Sequence, residues 1–385
     1  MNQCLGVIVG LILAFFLPDA ALADVFFQTN LTSDLPGVAG NQDPNLVNPW
    51  GIALGPTTPF WISDNGTGLS TLYNGAGQNF PVGSPLVVTI PPPGGGTPPA
   101  APTGVVFNGT SDFSGARFIF ATEDGTICAW SGGTSATLAV DSSASGAIYK
   151  GLALAQNGAA NLLYATNFNS GQIEVFNSAF GPVTVPGGFV DPNLPAGYAP
   201  FNIQNIGGLL YVTYAKKDLA GKDDMPGPGN GFVDVFDVNG VLQRRLISGG
   251  ALNSPWGLAL ATGNVGAFSN DLLVGNFGDG TINAFDPVTG SFLGSLRDVN
   301  DNPIVNEGLW GLAFGNGAQG SSKNALYFTA GIPGPDQVED HGLFGELQVR
   351  STPAPGTLTL VAISVLGGLA WGGLKRLRAR ASLGR

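Results

Sequence analysis

One short segment recurs six times at nearly equal intervals, and this repeat limits the possible folds more than any other feature of the chain. Residues 48–54, 254–260 and 308–314 read NPWGIAL, SPWGLAL and GLWGLAF. Weaker copies begin at 102, 149 and 199, so that the position of the Trp falls at residues 50, 103, 150, 201, 256 and 310. The spacing of 47 to 55 residues is typical of the blades of a β-propeller.

Each repeat continues with two more β-rich runs around a polar, glycine-containing turn, as in residues 60–73, 163–176 and 272–285. Such turns between alternating runs indicate hairpins. A further run such as 86–90 completes a fourth strand. The sequence therefore predicts an all-β, six-bladed β-propeller with four-stranded blades. We expect residues 25–29 to add the outermost strand of the last blade and so close the ring.

The Trp and Gly of the repeat each have a predicted packing role. Innermost strands crowd the propeller axis, so the glycine after the Trp position allows the backbones to approach each other closely. We expect the side chains of Trp50, Trp256 and Trp310 to wedge between blades, because large aromatic residues are usually buried. Ligand stacking on these rings is the alternative.

Composition fits many short strands. The chain has 60 Gly and 28 Pro, yet 44% of its residues are hydrophobic, which argues against disorder. Its two cysteines are Cys4 and Cys128. Because Cys4 lies in a segment that we expect to be removed, the mature chain keeps one thiol and forms no internal disulfide. A propeller of this size buries enough apolar surface without one.

The body of the chain is acidic. Residues 24–350 contain 25 Asp and Glu but 10 Lys and Arg. Such a surface repels phosphate backbones, so nucleic acid is not an expected partner, whereas divalent cations or neutral, hydroxyl-rich ligands are compatible with it. Solubility alone is the favoured explanation of this acidity.

Both ends of the chain read as targeting segments. Residues 1–23 combine an apolar run at 5–17 with Ala21-Leu22-Ala23, which predicts a signal helix removed by signal peptidase before Asp24. Residues 351–385 contain an apolar run at 358–374 and a basic end at 375–385. This order predicts a transmembrane helix with its basic end in the cytoplasm. The propeller is then residues 24–350, outside the inner membrane.

This tail resembles the PEP-CTERM sorting signal of Gram-negative bacteria, in which a proline motif, an apolar span and an Arg-rich end follow one another. The motif here is Pro353-Ala354-Pro355, with Ala354 where the signal has Glu. The resemblance implies processing by an exosortase and only transient contact with the inner membrane. A permanent single-span anchor is the alternative. Both place the protein at the cell surface, in the extracellular space or on the membrane.

Residues 25–350 resemble the uncharacterised six-bladed, NHL-like propellers that often carry such tails. The resemblance rests on Asn48–Ala53, Ser63–Tyr73, Pro200–Gln204, Gly229–Asp237, Asn276–Asn283 and Leu326–Gly331. It implies architecture and export, and it assigns no catalytic residue.

The predicted topology gathers polar residues at one mouth of the central channel. Connections into the innermost strands share this face with the hairpins between second and third strands. The connections supply Asn48, Asn253, Asn306 and Glu307, and the hairpins supply Asp64, Glu123, Asp124, Asn167, Asn276 and Asp279. Their oxygens suit a hard cation such as Ca²⁺, for which Asn48, Asn253 and Glu307 are the candidate ligands. The alternative is that these residues are turn formers.

Two hairpins are enlarged and acidic. Residues 216–230 include Asp218, Asp223 and Asp224, and residues 331–342 include Asp336, Glu339, Asp340 and the only histidine, His341. Long loops on a rigid ring often carry function. Together with the shorter hairpins, they give the predicted ligand-binding residues Asp64, Asp124, Asn167, Asp223, Asp224, Asn276, Asp279, Asp340 and His341. The acidic side chains of the two enlarged loops could order around a divalent ion, and the alternative is that these loops are simply solvated.

The sequence is poor in catalytic groups. A Ser-His-Asp or Cys-His arrangement would depend on His341 alone, and a His-rich metal site is impossible. We therefore predict a non-catalytic envelope or extracellular-matrix module that binds polysaccharide, an envelope protein or a small ligand. The alternative is a Ca²⁺-dependent hydrolase or lactonase at the channel mouth, with Glu307 moving a proton.

Overall fold

The computed structural model describes residues 24–261, 263–335 and 338–351. These residues form 25 β-strands and three short 3₁₀ helices, at Phe113–Gly115, Ser143–Ser145 and Gly266–Phe268. Within the described ranges no helix has the length and apolar character needed to cross a membrane. The predicted signal helix (1–23) and transmembrane helix (358–374) lie outside the described residues.

Six sheets make six blades, which confirms the predicted all-β propeller. Blade 1 contains β3 (Pro49–Ala53), β4 (Phe60–Asp64), β5 (Leu69–Tyr73) and β6 (Val87–Thr89). Blade 2 contains β7 (Pro102–Phe107), β8 (Phe118–Thr122), β9 (Thr126–Trp130) and β10 (Thr137–Asp141). Blade 3 contains β11 (Tyr149–Asn157), β12 (Ala160–Asn167), β13 (Gln172–Phe176) and β14 (Pro182–Val183).

The remaining blades follow the same antiparallel order. Blade 4 contains β15 (Tyr198–Ile206), β16 (Leu209–Lys216), β17 (Phe232–Phe236) and β18 (Leu242–Ser248). Blade 5 contains β19 (Pro255–Leu260), β20 (Leu272–Asn276), β21 (Ile282–Phe285) and β22 (Phe292–Ser295). Blade 6 contains β23 (Leu309–Phe314), β24 (Ala325–Ile332) and β25 (His341–Ser351).

The first strand of the propeller closes the ring. β1 (Asp24–Ser33) is the fourth strand of blade 6, next to β25, and β2 (Asn41–Gln42) pairs with β1 in parallel. This confirms the predicted closure. Because the first and last strands share one sheet, blades 1 and 6 are held side by side by backbone hydrogen bonds.

Neighbouring blades bury each other's faces. Each of the six interfaces between blades has its own cluster of buried apolar side chains. Between blades 1 and 2, Trp61 stacks on Phe118 with ring centroids 4.1 Å apart. Between blades 6 and 1, Phe60 and Tyr327 lie 4.3 Å apart. Burial of apolar surface at about 25 cal/mol per Å² makes these interfaces the main source of stability.

The innermost strands approach each other closely at the glycine of the repeat, as predicted. A Cβ atom added to Gly51 would lie 2.4 Å from the backbone oxygen of Thr103, and one added to Gly311 would lie 2.6 Å from that of Trp50. Blade 4 has Asn202 at this position, and its Nδ2 donates a hydrogen bond to the Trp256 oxygen at 2.7 Å. The strands thus form a tight ring around the axis.

The predicted wedging of the Trp side chains between blades is wrong. Trp50, Trp256 and Trp310 share a separate buried cluster with Phe168 and Phe201, distinct from the six between blades. The register shifts at these positions, between Pro49 and Ile52 in blade 1 and between Pro255 and Gly257 in blade 5. A bulge re-aims a side chain. Here the rings meet one another at the axis.

Candidate functional site

An aromatic plug fills the axis at the level of the repeat's Trp position. We define it as Trp50, Phe201, Trp256, Phe277 and Trp310. Trp310 stacks on Trp50 at 3.4 Å and on Phe277 at 4.0 Å between ring centroids. Trp256 meets both other tryptophans edge to face, at 6.1 and 5.9 Å. The plug is therefore a rigid, apolar surface beneath the loops at the mouth of the channel.

Asn48 holds the plug in place. The indole N–H groups of Trp50 and Trp310 both donate to Asn48 Oδ1, each at 3.1 Å. Asn48 was a predicted Ca²⁺ ligand, but the oxygen that would bind a cation already accepts two hydrogen bonds. The structure therefore gives Asn48 a positioning role.

A buried ammonium lies on the plug. Lys150 occupies the Trp position of blade 3, is only 2% exposed, and places Nζ 4.9 Å from the ring centroid of Trp50. Nζ forms an ion pair with Glu123 and lies 3.6 Å from Asp223 Oδ1. Cation–π attraction to a Trp ring and a carboxylate partner together compensate for burial of the charge.

Lys150 and four carboxylates form what we call the axial charge cluster: Glu123, Lys150, Asp223, Asp224 and Glu339. The Asp223 side chain is 63% exposed, whereas Asp224 and Glu339 are half-buried. Burial raises the pKa of Asp224 to about 6, and the neighbouring Asp223 adds to the rise while Lys150 opposes it. Burial and then the charges of Asp224, Glu123 and Asp223 raise the pKa of Glu339.

Glu123 behaves differently from its neighbours. Its burial favours the neutral form, but the ammonium of Lys150 and a hydrogen bond from Asn65 Nδ2 at 3.0 Å outweigh that effect. The pKa of Glu123 is therefore lowered, and Glu123 stays ionised as the partner of Lys150. Asp223, Asp224 and Glu339 remain, and even with the positive charge of Lys222 near Glu123 they leave an excess of negative charge at the mouth.

Each of the two enlarged loops contributes carboxylates to this cluster. Asp223 and Asp224 lie in the connection between β16 and β17, and Glu339 lies in that between β24 and β25. Asp340, on the second loop, is exposed, and Asp336 lies outside the described residues. Asp223 and Asp224 were predicted ligand-binding residues, whereas Glu339 was not, and the predicted Asp340 and His341 do not belong to the cluster.

The blade 5 candidates bind each other instead of facing the axial cluster. Asn253 Nδ2 donates to Asp279 Oδ2 at 3.1 Å, and Asn253 Oδ1 accepts the Gly227 N–H at 2.6 Å. Asn276 is fully buried and donates to the Ala251 oxygen at 2.8 Å. These side chains order their own turns, as the turn-former alternative anticipated.

Three further candidates also have local partners. Asn167 Nδ2 donates to Glu174 Oε1 at 2.7 Å. Asp124 Oδ2 accepts the Ala101 N–H at 2.7 Å. His341 Nδ1 lies 2.8 Å from Asp34 Oδ2. Each interaction joins neighbouring loops or strands and leaves the side chain unavailable to the axial cluster.

Asp64 and Glu307 mark the two extremes of exposure. Asp64 has no exposed surface and lies among Asp43, Thr71 and Tyr73, so it does not reach the mouth. Glu307 is exposed, and in the described part of the chain its side chain has no hydrogen bond or ion pair. No group of three or more His, Cys, Asp or Glu among the described residues is arranged to hold a metal ion.

Sequence reasoning missed Lys150. Its signal was present, because Lys150 is the one charged residue at the six aligned Trp positions. A cation buried at the axis needs a carboxylate partner, so Lys150 indicates an acidic residue near it. Glu123, at the end of the second strand of the adjacent blade, was the nearest candidate.

Comparisons with known proteins identify relatives of the whole propeller. The chain is 32% identical over 320 residues to the uncharacterized protein R648 of Acanthamoeba polyphaga mimivirus, covering 78% of this chain and 76% of the relative. It is 32% identical over 338 residues to the uncharacterized protein L690 of the same virus, covering 82% and 84%. No protein-family model matches the chain.

Among solved structures, the propeller is similar to a protein of unknown function from Bacteroides thetaiotaomicron. The TM-score is 0.52 at 11% identity, and the match covers 85% of this chain and 76% of the other. At this level of identity the similarity supports the six-bladed fold alone.

Proposed function

This chain belongs to the protein family of R648 and L690, and we propose that it is an exported, non-catalytic binding module of the cell envelope or extracellular matrix. Its ligand carries an amine or guanidinium group. That group binds at the axial charge cluster, above the aromatic plug. An envelope protein or an amino-sugar polysaccharide would present such a group.

The observation that carries this proposal is the charge balance at the mouth. Four carboxylates lie near Lys150, which is already paired with Glu123, and the exposed Lys222 adds only a weaker positive charge near Glu123. Asp223, Asp224 and Glu339 are left without a full cationic partner, and Asp223 is mostly exposed. A ligand cation compensates this charge, and the negative mouth attracts it from solution.

Binding can be measured with a matched pair of probes. We expect 1,5-diaminopentane to bind the full chain and 1,5-pentanediol, of the same length but uncharged, to fail to bind in isothermal titration calorimetry. The double variant Asp223→Asn/Glu339→Gln should weaken diamine binding about tenfold, a loss of about 1.4 kcal/mol. Asp301→Asn is the control, since Asp301 is 85% exposed and contacts Arg297. Equal binding of diamine and diol contradicts the proposal.

Diamine binding should depend on pH through Asp224. Its pKa is raised to about 6, so its carboxylate is largely protonated at pH 5 and ionised at pH 7.5. The probe stays doubly charged over this range. We expect affinity to increase from pH 5 to pH 7.5 and the increase to shrink in Asp224→Asn. A flat profile in the wild-type chain would show that Asp224 takes no part.

Export is supported by the two targeting segments, residues 1–23 and 351–385. The proposed processing partners are signal peptidase and an exosortase, with the inner membrane as a transient or permanent site. Expression in an exosortase-containing Gram-negative host tests this. Mass spectrometry should find a mature chain that begins at Asp24 and lacks the basic end 375–385. A chain that keeps residues 1–23 would contradict export through this signal.

A second function, hydrolysis of a lactone or ester, is favoured by one observation. The pKa of Glu123 is lowered while that of Asp224 is raised to about 6, and groups with separated pKa values can divide acid and base roles. In this alternative Ca²⁺ would polarise the substrate at the mouth, with Asp224 rather than Glu307 moving the proton. It predicts Ca²⁺-dependent turnover that Asp224→Asn abolishes and Glu307→Gln preserves. Absence of turnover over a lactone panel counts against it.

A further inference from the structure

The two enlarged loops carry exposed apolar side chains beside the axial charge cluster. Leu219 is fully exposed, and the side chains of Met225 and Val338 are exposed as well. Met225 directly follows Asp224, and Val338 directly precedes Glu339. We call Leu219, Met225 and Val338 the apolar rim. A single exposed apolar residue is ordinary on a protein surface, whereas three around one acidic mouth indicate an interaction site.

Hydrogen bonds hold the first loop over the mouth. The Met225 N–H donates to the Lys216 oxygen at 2.7 Å, which continues the hairpin of β16 and β17 beyond its strands. Lys217 Nζ donates to the Asn169 oxygen of blade 3 at 3.0 Å. Leu219 therefore lies at the tip of a hairpin that is bonded to the neighbouring blade, with its side chain in solvent.

The second loop meets the first at the carboxylates. Burial raises the pKa of Glu339, and the charges of Asp224 and Asp223 raise it further, so these three side chains lie near one another. Val338 lies in a turn closed by the Gly334 N–H, which donates to the Val338 oxygen at 2.7 Å. The apolar rim therefore has members on blades 4 and 6, and the carboxylates lie where the two loops meet.

We propose that the group bound at the axial charge cluster is a Lys or Arg side chain of a partner protein, in an exposed segment with apolar residues on both sides of it. This inference rests on the proposed function and chooses between its two kinds of ligand. A segment of this composition places its positive charge on the carboxylates and its apolar side chains on the rim, where their burial is favourable. An amino-sugar polysaccharide presents hydroxyl groups to the rim instead, and these would lose hydration without finding a partner.

Short ligands with one amine each can compare these two occupants in calorimetric titrations of the full chain. We expect the peptide acetyl-Leu-Lys-Leu-amide to bind about tenfold more tightly than acetyl-Ser-Lys-Ser-amide, because the two leucines bury apolar surface on the rim. Methyl glucosaminide, an amino sugar, should bind no more tightly than the Ser-Lys-Ser peptide. 1,5-Diaminopentane, titrated in parallel, reports on the cation site alone.

The double variant Leu219→Ser/Val338→Ser should bind both peptides with the same affinity. Val288→Ser is the matched control and should keep the preference, since Val288 is also exposed but lies in the turn between β21 and β22, outside both loops. The inference is overturned if diaminopentane binds while the wild-type chain treats the two peptides alike, or if the amino sugar binds as tightly as the Leu-Lys-Leu peptide. If diaminopentane itself fails to bind, the cation site is contradicted, and this inference with it.

Discussion

Replacing Lys150 by Met should lower the free energy of unfolding by about 3–5 kcal/mol, because removing one partner of a buried ion pair leaves the other charge uncompensated. Lys150 is 2% exposed and pairs with Glu123, whose side chain is 14% exposed. Met has a similar length and can still pack on Trp50. Denaturant unfolding followed by circular dichroism measures the loss.

The double variant Lys150→Met/Glu123→Gln is the control for this prediction. It removes both charges and keeps both shapes, so it should recover most of the stability lost in Lys150→Met. If Lys150→Met costs less than about 1 kcal/mol, the value of a solvent-exposed pair, the axial ion pair is not buried as described. A double variant no more stable than Lys150→Met would show that packing rather than charge sets the loss.

Asp64→Asn should stabilise the protein at pH 8 by about 1–3 kcal/mol, the cost of a buried polar group without a partner. Asp64 has no exposed surface, and neither of its carboxylate oxygens has a partner at hydrogen-bonding geometry among the described residues. Burial raises its pKa well above the ordinary value, and the nearby Asp43 adds to the rise. Asn replaces the carboxyl with a neutral group of the same shape.

The gain in stability expected for Asp64→Asn depends on pH. A raised pKa in the folded state means that folding favours the protonated form, so the stability that Asp64 contributes is complete below about pH 4 and is lost as pH rises toward the folded pKa. The gain in Asp64→Asn should therefore be small at pH 4 and should grow toward pH 8. Thermal unfolding at a series of pH values measures it.

Asp43→Asn is the matched comparison for Asp64→Asn. Asp43 is also buried, at 3% exposed, but its Oδ1 accepts the Asn45 N–H at 2.9 Å and its Oδ2 accepts the Tyr73 hydroxyl at 2.9 Å. We expect Asp43→Asn to destabilise the protein. If Asp64→Asn destabilises it equally at pH 8, Asp64 is ionised and has a cationic partner.

The repeat was sufficient to predict the blades because it reports local β-structure and a fixed period. Blade number, four-stranded blades and closure by the segment at 25–29 all followed from it, and β1 and β6 lie where the sequence placed outer strands. The direction in which the Trp side chains point could not be predicted from the repeat. It depends on a register shift at each Trp position, which the residue types do not reveal.

The site was predictable only in part, for a related reason. Asp64, Glu123 and Asn167 occupy similar places at the ends of second strands, yet one is sealed between blades, one pairs with Lys150 and one binds Glu174. The neighbouring loops decide which of these occurs. Asp223 and Asp224 were predicted because long acidic loops on a ring lie near its mouth, whereas on the second loop Asp340 and His341 were predicted and Glu339 is the residue in the cluster.

A crystal structure of the full chain with bound 1,5-diaminopentane tests the central claim most directly. The claim is that six blades bring Glu123, Lys150, Asp223, Asp224 and Glu339 together as a cation site above the plug. We predict one ligand nitrogen within hydrogen-bonding distance of Asp223, Asp224 or Glu339. Electron density for the diamine elsewhere on the propeller, with these three carboxylates free, would contradict it.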